Sequence, residues 1–150
     1  MKNNPISIRA YAPETDTHAL SQIWLEAALI AHSFIGEATL CEQRSLIEKV
    51  YLPKAETFVA CSDGVPVGFV SLLGDFIGGL FVAPAYQSQG IGRMLGEHAL
   101  TLVSELSLEV YTANEQAMRF YQKLGFVEQS RRQYDDEGLP FENALMRFSR

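Results

Sequence analysis

The sequence predicts a mixed α/β domain, and three stretches carry that prediction. Two apolar runs, residues 57–61 and 65–73, flank Ser62-Asp63-Gly64, whose Asp-Gly pair signals a hairpin because glycine takes a positive φ at little steric cost. In the middle, "LFVAPAYQSQGIGRMLGEHAL" (residues 80–100) runs from an apolar strand through a proline and a polar turn with two glycines into a helical pattern. Near the C-terminus, residues 126–134 and 141–148 read as two strands around the turn-rich Asp135-Asp136-Glu137-Gly138-Leu139-Pro140. Hairpins at both ends therefore enclose a strand-helix-strand unit.

The elements follow in order. Residues 6–11 (ISIRAY) form a first strand, after which Leu20, Ile23, Trp24, Ala27, Ala28 and Ala31 recur at the three- and four-residue steps of an amphipathic helix. A second helix carries Leu46, Ile47, Val50 and Tyr51, and Pro53 stops it by lacking an N–H. The Asp-Gly hairpin supplies antiparallel strands two and three, and residues 77–82 form the fourth. Ile91, Met94, Leu95, Ala99, Leu102 and Val103 trace the buried stripe of a third helix. Residues 106–111 (LSLEVY) are a fifth strand; Ala117, Phe120, Tyr121 and Leu124 stripe a fourth helix that Gly125 caps. No linker, repeat or low-complexity block interrupts the 150 residues, so one domain is expected, burying roughly two-thirds of its unfolded surface.

Composition narrows the function. The formal net charge is −6, with 18 acidic against 12 basic residues, which argues against a nucleic-acid partner because there is no excess of cations to neutralise phosphates. A cationic partner suits such a surface. Cys41 and Cys61 lack CxxC or Cys/His spacing, so they read as reduced thiols of a cytosolic chain, and no metal site is expected. The opening MKNNPISIRA has no apolar signal core, and no later run approaches the ~18 apolar residues of a membrane span, so a soluble, cytoplasmic protein is expected.

The glycine turn carries the chemistry. A helix begins with backbone N–H groups that lack helical partners and bear partial positive charge, so a turn without side chains presses those donors against a phosphate. Gly90 and Gly92 allow the approach, Gln87 and Gln89 add side-chain hydrogen bonds, and Arg93 supplies a fixed cation. A tight strand-to-helix turn without a ligand explains the same glycines. A Walker loop is excluded, because Arg93-Met94 stands where Lys-Ser/Thr is needed, and a dinucleotide fingerprint lacks its third glycine at Leu95. Glu109, closing the fifth strand, keeps a nicotinamide reading open.

Two segments carry a resemblance. Gln87-Ser88-Gln89-Gly90-Ile91-Gly92 is similar to the Gln/Arg-x-x-Gly-x-Gly/Ala acetyl-CoA signature of the GNAT superfamily of N-acetyltransferases, and it follows a strand ending Leu80-Phe81-Val82-x-Pro84, as that family's fourth strand does. Asn114 to Phe126, NEQAMRFYQKLGF, resembles the family's Asn-x-x-Ala-x-x-Phe-Tyr-x-x-x-Gly-Phe segment. Order and spacing match over nearly the whole chain. The tail YDDEGLPFENALMRF resembles small bacterial members.

The resemblance implies a twisted, mostly antiparallel sheet with helices on both faces and strands four and five splayed at their C-terminal halves. Unpaired main-chain groups at Leu80, Phe81 and Val82 would then bind the pantetheine arm of acetyl-CoA like an added strand. Gly78-Gly79 just before them marks a bulge or a close ligand approach. The family pattern puts the pyrophosphate on the amides from Gln89 to Arg93, beside Gln87 and Ser88, and lets Asn114 reach the thioester end. Tyr121 matches the family tyrosine that protonates the departing sulfur, while a fourth-strand N–H, at Leu80, polarises the carbonyl. Packing alone within its apolar stripe is the alternative for Tyr121.

The family's fourth-strand glutamate is missing, since Gly78 and Gly79 occupy its positions. His32, in the segment that lines the family's acceptor pocket, is the substitute base because imidazole titrates near neutrality; a surface or substrate-packing histidine is the alternative. His98 shares the third helix's buried face and His18 lies in solvent. Ser33, Phe34, Asp75 and Tyr134 are assigned with His32 to the acceptor pocket, and Asp135, Asp136 and Glu137 favour a positively charged amine. The expected activity is acetyl transfer to a primary amine of a small molecule or peptide, with a homodimer as the family's common assembly. A non-catalytic acyl-CoA sensor or partner-binding module is the alternative that the missing base favours.

Overall fold

The structure is a computed structural model and describes residues 5–149. The chain begins with β1 (Ile6–Ala10) and α1 (Pro13–Ala31), followed by a single 3-10 turn (Ser33–Ile35) and α2 (Glu37–Leu46). A π-helical turn (Ile47–Tyr51) and a last helical turn (Leu52–Lys54) prolong α2, and β2 (Glu56–Ser62), β3 (Val65–Leu73) and β4 (Phe76–Val82) come next. A 3-10 turn (Pro84–Tyr86) leads into α3 (Ile91–Leu102), then β5 (Glu105–Tyr111), α4 (Glu115–Leu124), β6 (Val127–Arg132) and β7 (Asn143–Ser149).

The strands form one seven-stranded sheet in the order β1-β2-β3-β4-β5-β7-β6. All pairs are antiparallel except β4 with β5, because α3 carries the chain back across the sheet between them. Asp63 (φ 52°) and Gly64 (φ 80°) both take left-handed backbone at the β2–β3 hairpin, the geometry their pairing predicts.

Alternation along the strands divides the core in two. Leu106, Leu108 and Val110 of β5 pack with Ile91, Leu95 and Ala99 of α3 and with Tyr121 of α4 on one face. On the other, Leu20, Ile23, Trp24 and Ala28 of α1 join Leu40, Leu52, Val59 and Phe69. Asp16, buried at the start of α1, accepts both Arg9 guanidinium nitrogens (2.7 and 2.9 Å) and the Ala12 N–H (2.8 Å), which locks β1 to α1. These hydrogen bonds, the Arg9 pair foremost, hold its carboxyl below the ordinary value of 3.8.

The second helix departs from its expected pattern. It starts at Glu37, well upstream of the apolar stripe, and buries Leu40, Gln43 and Leu52 while Leu46 and Tyr51 stay exposed. The π turn widens the repeat, and none of its five residues is buried. Pro53 lies inside the last turn, and the helical run ends one residue beyond it, at Lys54. Among the described residues, no helix is long and apolar enough to cross a membrane.

Candidate active site

β4 and β5 are joined at only two register positions, Phe76 with Ser107 and Ile77 with Leu108. Beyond them β4 continues to follow β3 as far as Val82 opposite Gly68, and β5 continues to follow β7 as far as Tyr111 opposite Asn143. The sheet therefore splits down its middle. The facing edges of residues 78–82 and 109–111 leave main-chain N–H and C=O groups without a strand partner, and such groups demand another ligand. A bulge sits where the split begins: Ser71 faces Gly79 and Leu72 faces Ile77, so Gly78 is the extra residue. The split opens into a cavity of about 990 Å³ that reaches both faces of the sheet.

At one end of the cavity lies the glycine turn. Ser88 (φ 66°) and Gly90 (φ 85°) adopt left-handed backbone, and Gln87 Nε2 donates to the Val82 carbonyl at 3.0 Å, closing the turn over the end of β4. The first i−4 bond of α3 runs from Met94 N to Gly90 O (3.0 Å), which leaves the amides of Ile91, Gly92 and Arg93 without helical acceptors. Arg93 is exposed and donates to Glu97 at 3.0 Å. Leu80, Phe81, Val82, Gln87, Ser88, Gly90, Ile91, Gly92 and Arg93 all line the cavity, whereas Gln89 is exposed and outside the lining.

On the α3/α4 side, Asn114 caps α4 by accepting the Ala117 N–H at 3.2 Å. Tyr121 is only 8% exposed, its ring held edge-on between Phe120 (5.1 Å) and Phe126 (5.6 Å). Both residues line the cavity. The Tyr121 hydroxyl makes no hydrogen bond within the described residues, and burial pushes its pKa above the ordinary 10. It is thus a protonated, unspent donor.

On the α1/α2 side, His32 ends α1, its N–H donating to Ala28 O (2.8 Å) and its ring meeting Tyr111 edge-on at 4.9 Å. Burial pushes the imidazole down to about 4, so it lines the cavity as a neutral group and a weak base at neutral pH. Tyr111 donates to Asp135 Oδ2 (2.8 Å), while Asp135 Oδ1 accepts the N–H groups of Glu137 (3.0 Å) and Leu139 (2.9 Å). Gln43 Nε2 reaches from α2 to Glu137 Oε2 at 2.6 Å, so α2 and the β6–β7 turn meet over the cavity. Burial first, then Asp135 and Asp136, raise the Glu137 pKa above its ordinary 4.5.

Not every expected pocket residue reaches the cavity. Phe34 packs behind Tyr111 (5.4 Å) and Phe141 (5.2 Å), and neither it nor Ser33 is in the lining. Asp75 is an exposed turn residue whose carbonyl accepts Ser107 N–H (2.9 Å), and exposed Tyr134 offers its carbonyl to Asn143 (3.1 Å); both lie outside the lining. His98 packs on Phe58 at 4.7 Å away from the cavity, with Nε2 buried and unpartnered. His18 is exposed.

Two further residues line the cavity that the sequence did not place there. Glu109 and Tyr111 stand on the splayed half of β5 and share the α1/α2 face. Arg132 grips Glu109 with two hydrogen bonds (2.9 and 2.8 Å) and also pairs with Asp136. The signal was the β5 alternation: with Leu106, Leu108 and Val110 on one face, Glu109 and Tyr111 must share the other.

A parallel strand pair that opens beyond a bulge, a helix N-terminus with free amides and a buried phenol thus surround one cavity. The model of the acetyltransferase (GNAT) family matches residues 18–126, and the chain belongs to that family. It is 41% identical over 123 residues to the peptidyl-lysine N-acetyltransferase YjaB of Salmonella typhimurium, covering 81% of this chain and 84% of that protein. It is 35% identical over 116 residues to the peptidyl-lysine N-acetyltransferase YiaC of Escherichia coli, covering 77% and 80%. The solution structure of apo-form YjaB from Escherichia coli superimposes with a TM-score of 0.87 at 35% identity, covering 96% of this chain and 97% of that one. The chain is an N-acetyltransferase that uses acetyl-CoA, and its named relatives support catalysis over a binding-only module.

Proposed function

We propose that this enzyme acetylates the side-chain amine of lysine in a protein or peptide. The observation that carries the reading is the cluster of Glu109, Asp136 and Glu137 in the cavity lining, where three carboxylates outnumber the single cation, Arg132, that pairs with the first two, a net negative charge that suits an ammonium group. The YjaB and YiaC relatives, named as peptidyl-lysine N-acetyltransferases, support the same reading.

In this reading the inner edge of β4 holds the pantetheine arm through the backbone of Leu80, Phe81 and Val82, and the amides of Ile91, Gly92 and Arg93 hold the pyrophosphate, flanked by the Gln87, Ser88 and Gln89 turn. Acetyl-CoA supplies an activated thioester. The Leu80 N–H polarises its carbonyl, and a low-dielectric cleft makes that single donor worth more than in water. Asn114, already fixed as a helix cap, orients the thioester end. Tyr121 donates its hydroxyl hydrogen to the departing sulfur; its raised pKa keeps that hydrogen in place throughout the working pH range.

Proton removal from the acceptor is assigned to Glu109, which stands on the acceptor face of the split. His32 stays a neutral wall beside it. Glu137 and Asp136 attract the ammonium before it is deprotonated.

The test is acetyl-CoA turnover with a lysine peptide blocked at its α-amine, the same peptide with arginine for lysine, and a polyamine, with mass spectrometry locating the acetyl group. Acetyl on the lysine Nζ alone is expected. Acetylation of the polyamine with none on the peptide would refute the reading.

A further inference from the structure

We infer that Arg132 is a positioning residue for acetyl transfer: its guanidinium holds the Glu109 carboxylate at the open edge of β5, in the orientation that takes the proton of the acceptor amine. The inference rests on the assignment of Glu109 as base and deepens it by naming what fixes that base.

Glu109 is the first β5 residue past the last β4 pairing, Ile77 with Leu108, so it stands where the sheet has just opened. A glutamate there has a long side chain with rotamer freedom to lose. Arg132 removes that freedom. Its Nε donates to Glu109 Oε2 at 2.9 Å and its Nη2 to Oε1 at 2.8 Å, the two-pronged fit of a planar guanidinium to a carboxylate.

Arg132 is itself held. Tyr111, Asn143 and Arg132 stand opposite one another on β5, β7 and β6, so their side chains form one row on one face of the sheet. Asn143 is only 4% exposed, and its Nδ2 donates to the carbonyls of Tyr134 (3.1 Å) and Phe141 (3.3 Å). Its Oδ1 accepts Arg132 Nε at 3.2 Å, and Arg132 Nη2 also donates to Asp136. A buried amide therefore sets the place of Glu109 through Arg132, and all four residues line the cavity. A lone exposed ion pair carries no such role, because solvent screens it and both side chains keep their freedom. The two-pronged grip and the buried anchor distinguish this one.

The grip leaves room for chemistry. A carboxylate offers about four lone-pair positions and Arg132 takes two of them, so each oxygen keeps one for the amine proton. Once that proton arrives Glu109 is a neutral carboxylic acid, and Asp136 remains as the charged partner that keeps Arg132 in place for the next turnover.

The experiment is a double-mutant cycle on the full chain with the blocked lysine peptide: wild type, Arg132→Met, Glu109→Gln and the two combined, read as kcat, peptide KM and thermal unfolding. The Arg132 side chain is 45% exposed and methionine keeps part of its stem, so the variant is expected to fold. Arg132→Met should lower kcat by about tenfold to 10²-fold, the scale of a misplaced reacting group. Its peptide KM should hold or fall, because the cavity has lost a cation and draws an ammonium more strongly. Glu109→Gln should lower kcat at least as far, and adding Arg132→Met to it should lower kcat no further, since the two side chains act as a unit. Arg132→Lys keeps the charge but cannot span both oxygens, and it too should lower kcat. Wild-type kcat in Arg132→Met or Arg132→Lys, or losses that multiply in the combined variant, overturns the positioning role and leaves Glu109 as base. Wild-type kcat in Glu109→Gln overturns the base assignment and this inference with it.

Discussion

The Tyr111 hydroxyl donates to Asp135 Oδ2 at 2.8 Å, so the splayed end of β5 is tied to the β6–β7 turn across the α1/α2 half of the cavity. The same carboxylate accepts two backbone N–H groups of that turn through its other oxygen. One buried side chain thereby fixes both the aromatic wall and the acidic one.

Asp135→Ala should release both. Three donors lose their acceptor, and an unpaired buried donor costs about 1–3 kcal/mol, so thermal unfolding should show a loss of that order. Peptide KM should rise while acetyl-CoA affinity, set at the other end of the split, holds. Calorimetric titration beside steady-state kinetics separates the two.

Gly90→Val tests the cradle. At φ 85° the backbone suits glycine, and a β-branched residue there is strained by about 1–3 kcal/mol, although a Cβ would meet nothing within 4 Å. The cost is therefore conformational, and the turn relaxes by moving the free amides of α3. Acetyl-CoA affinity should fall by tenfold or more, read by calorimetry.

Burial of His32 sets a pH dependence. Its pKa drops from the ordinary 6.5 to about 4 on folding, so between these values the unfolded chain binds the extra proton and stability falls as the pH is lowered from 6.5 toward 4. Above pH 6.5 the residue contributes no slope. Urea unfolding of His32→Phe across this window should show a shallower dependence than wild type. The acid limb of kcat/KM in His32→Gln should keep its inflection, because a group already neutral at pH 6 does not produce it.

Local chemistry was the legible part. The Asp63-Gly64 turn, the Gly78-Gly79 bulge, the seven strands and the GNAT resemblance were all readable from residue types at short spacing. What long-range contacts decide was not. Nothing near Gln43 in sequence announces Glu137, yet their hydrogen bond ties α2 to the β6–β7 turn. The π turn at Ile47–Tyr51 carries a helix-like sequence, so the exposure of Tyr51 emerges only from the structure. Burial likewise depends on partners: Tyr111 and Phe34 enclose His32 and make it a weaker base than its free imidazole suggests. Tyr134 and Asp75 were placed by nearness along the chain, and turns carry both outward.

In the proposed mechanism Tyr121 serves the transfer itself within the split sheet. Acetylation of the blocked lysine peptide by Tyr121→Phe, measured with acetyl-CoA affinity on the same preparation, tests it most directly. The account predicts a fall in kcat of about 10²-fold or more with a near-normal acetyl-CoA Kd. An unchanged kcat would contradict it and leave Tyr121 as a packing residue of α4.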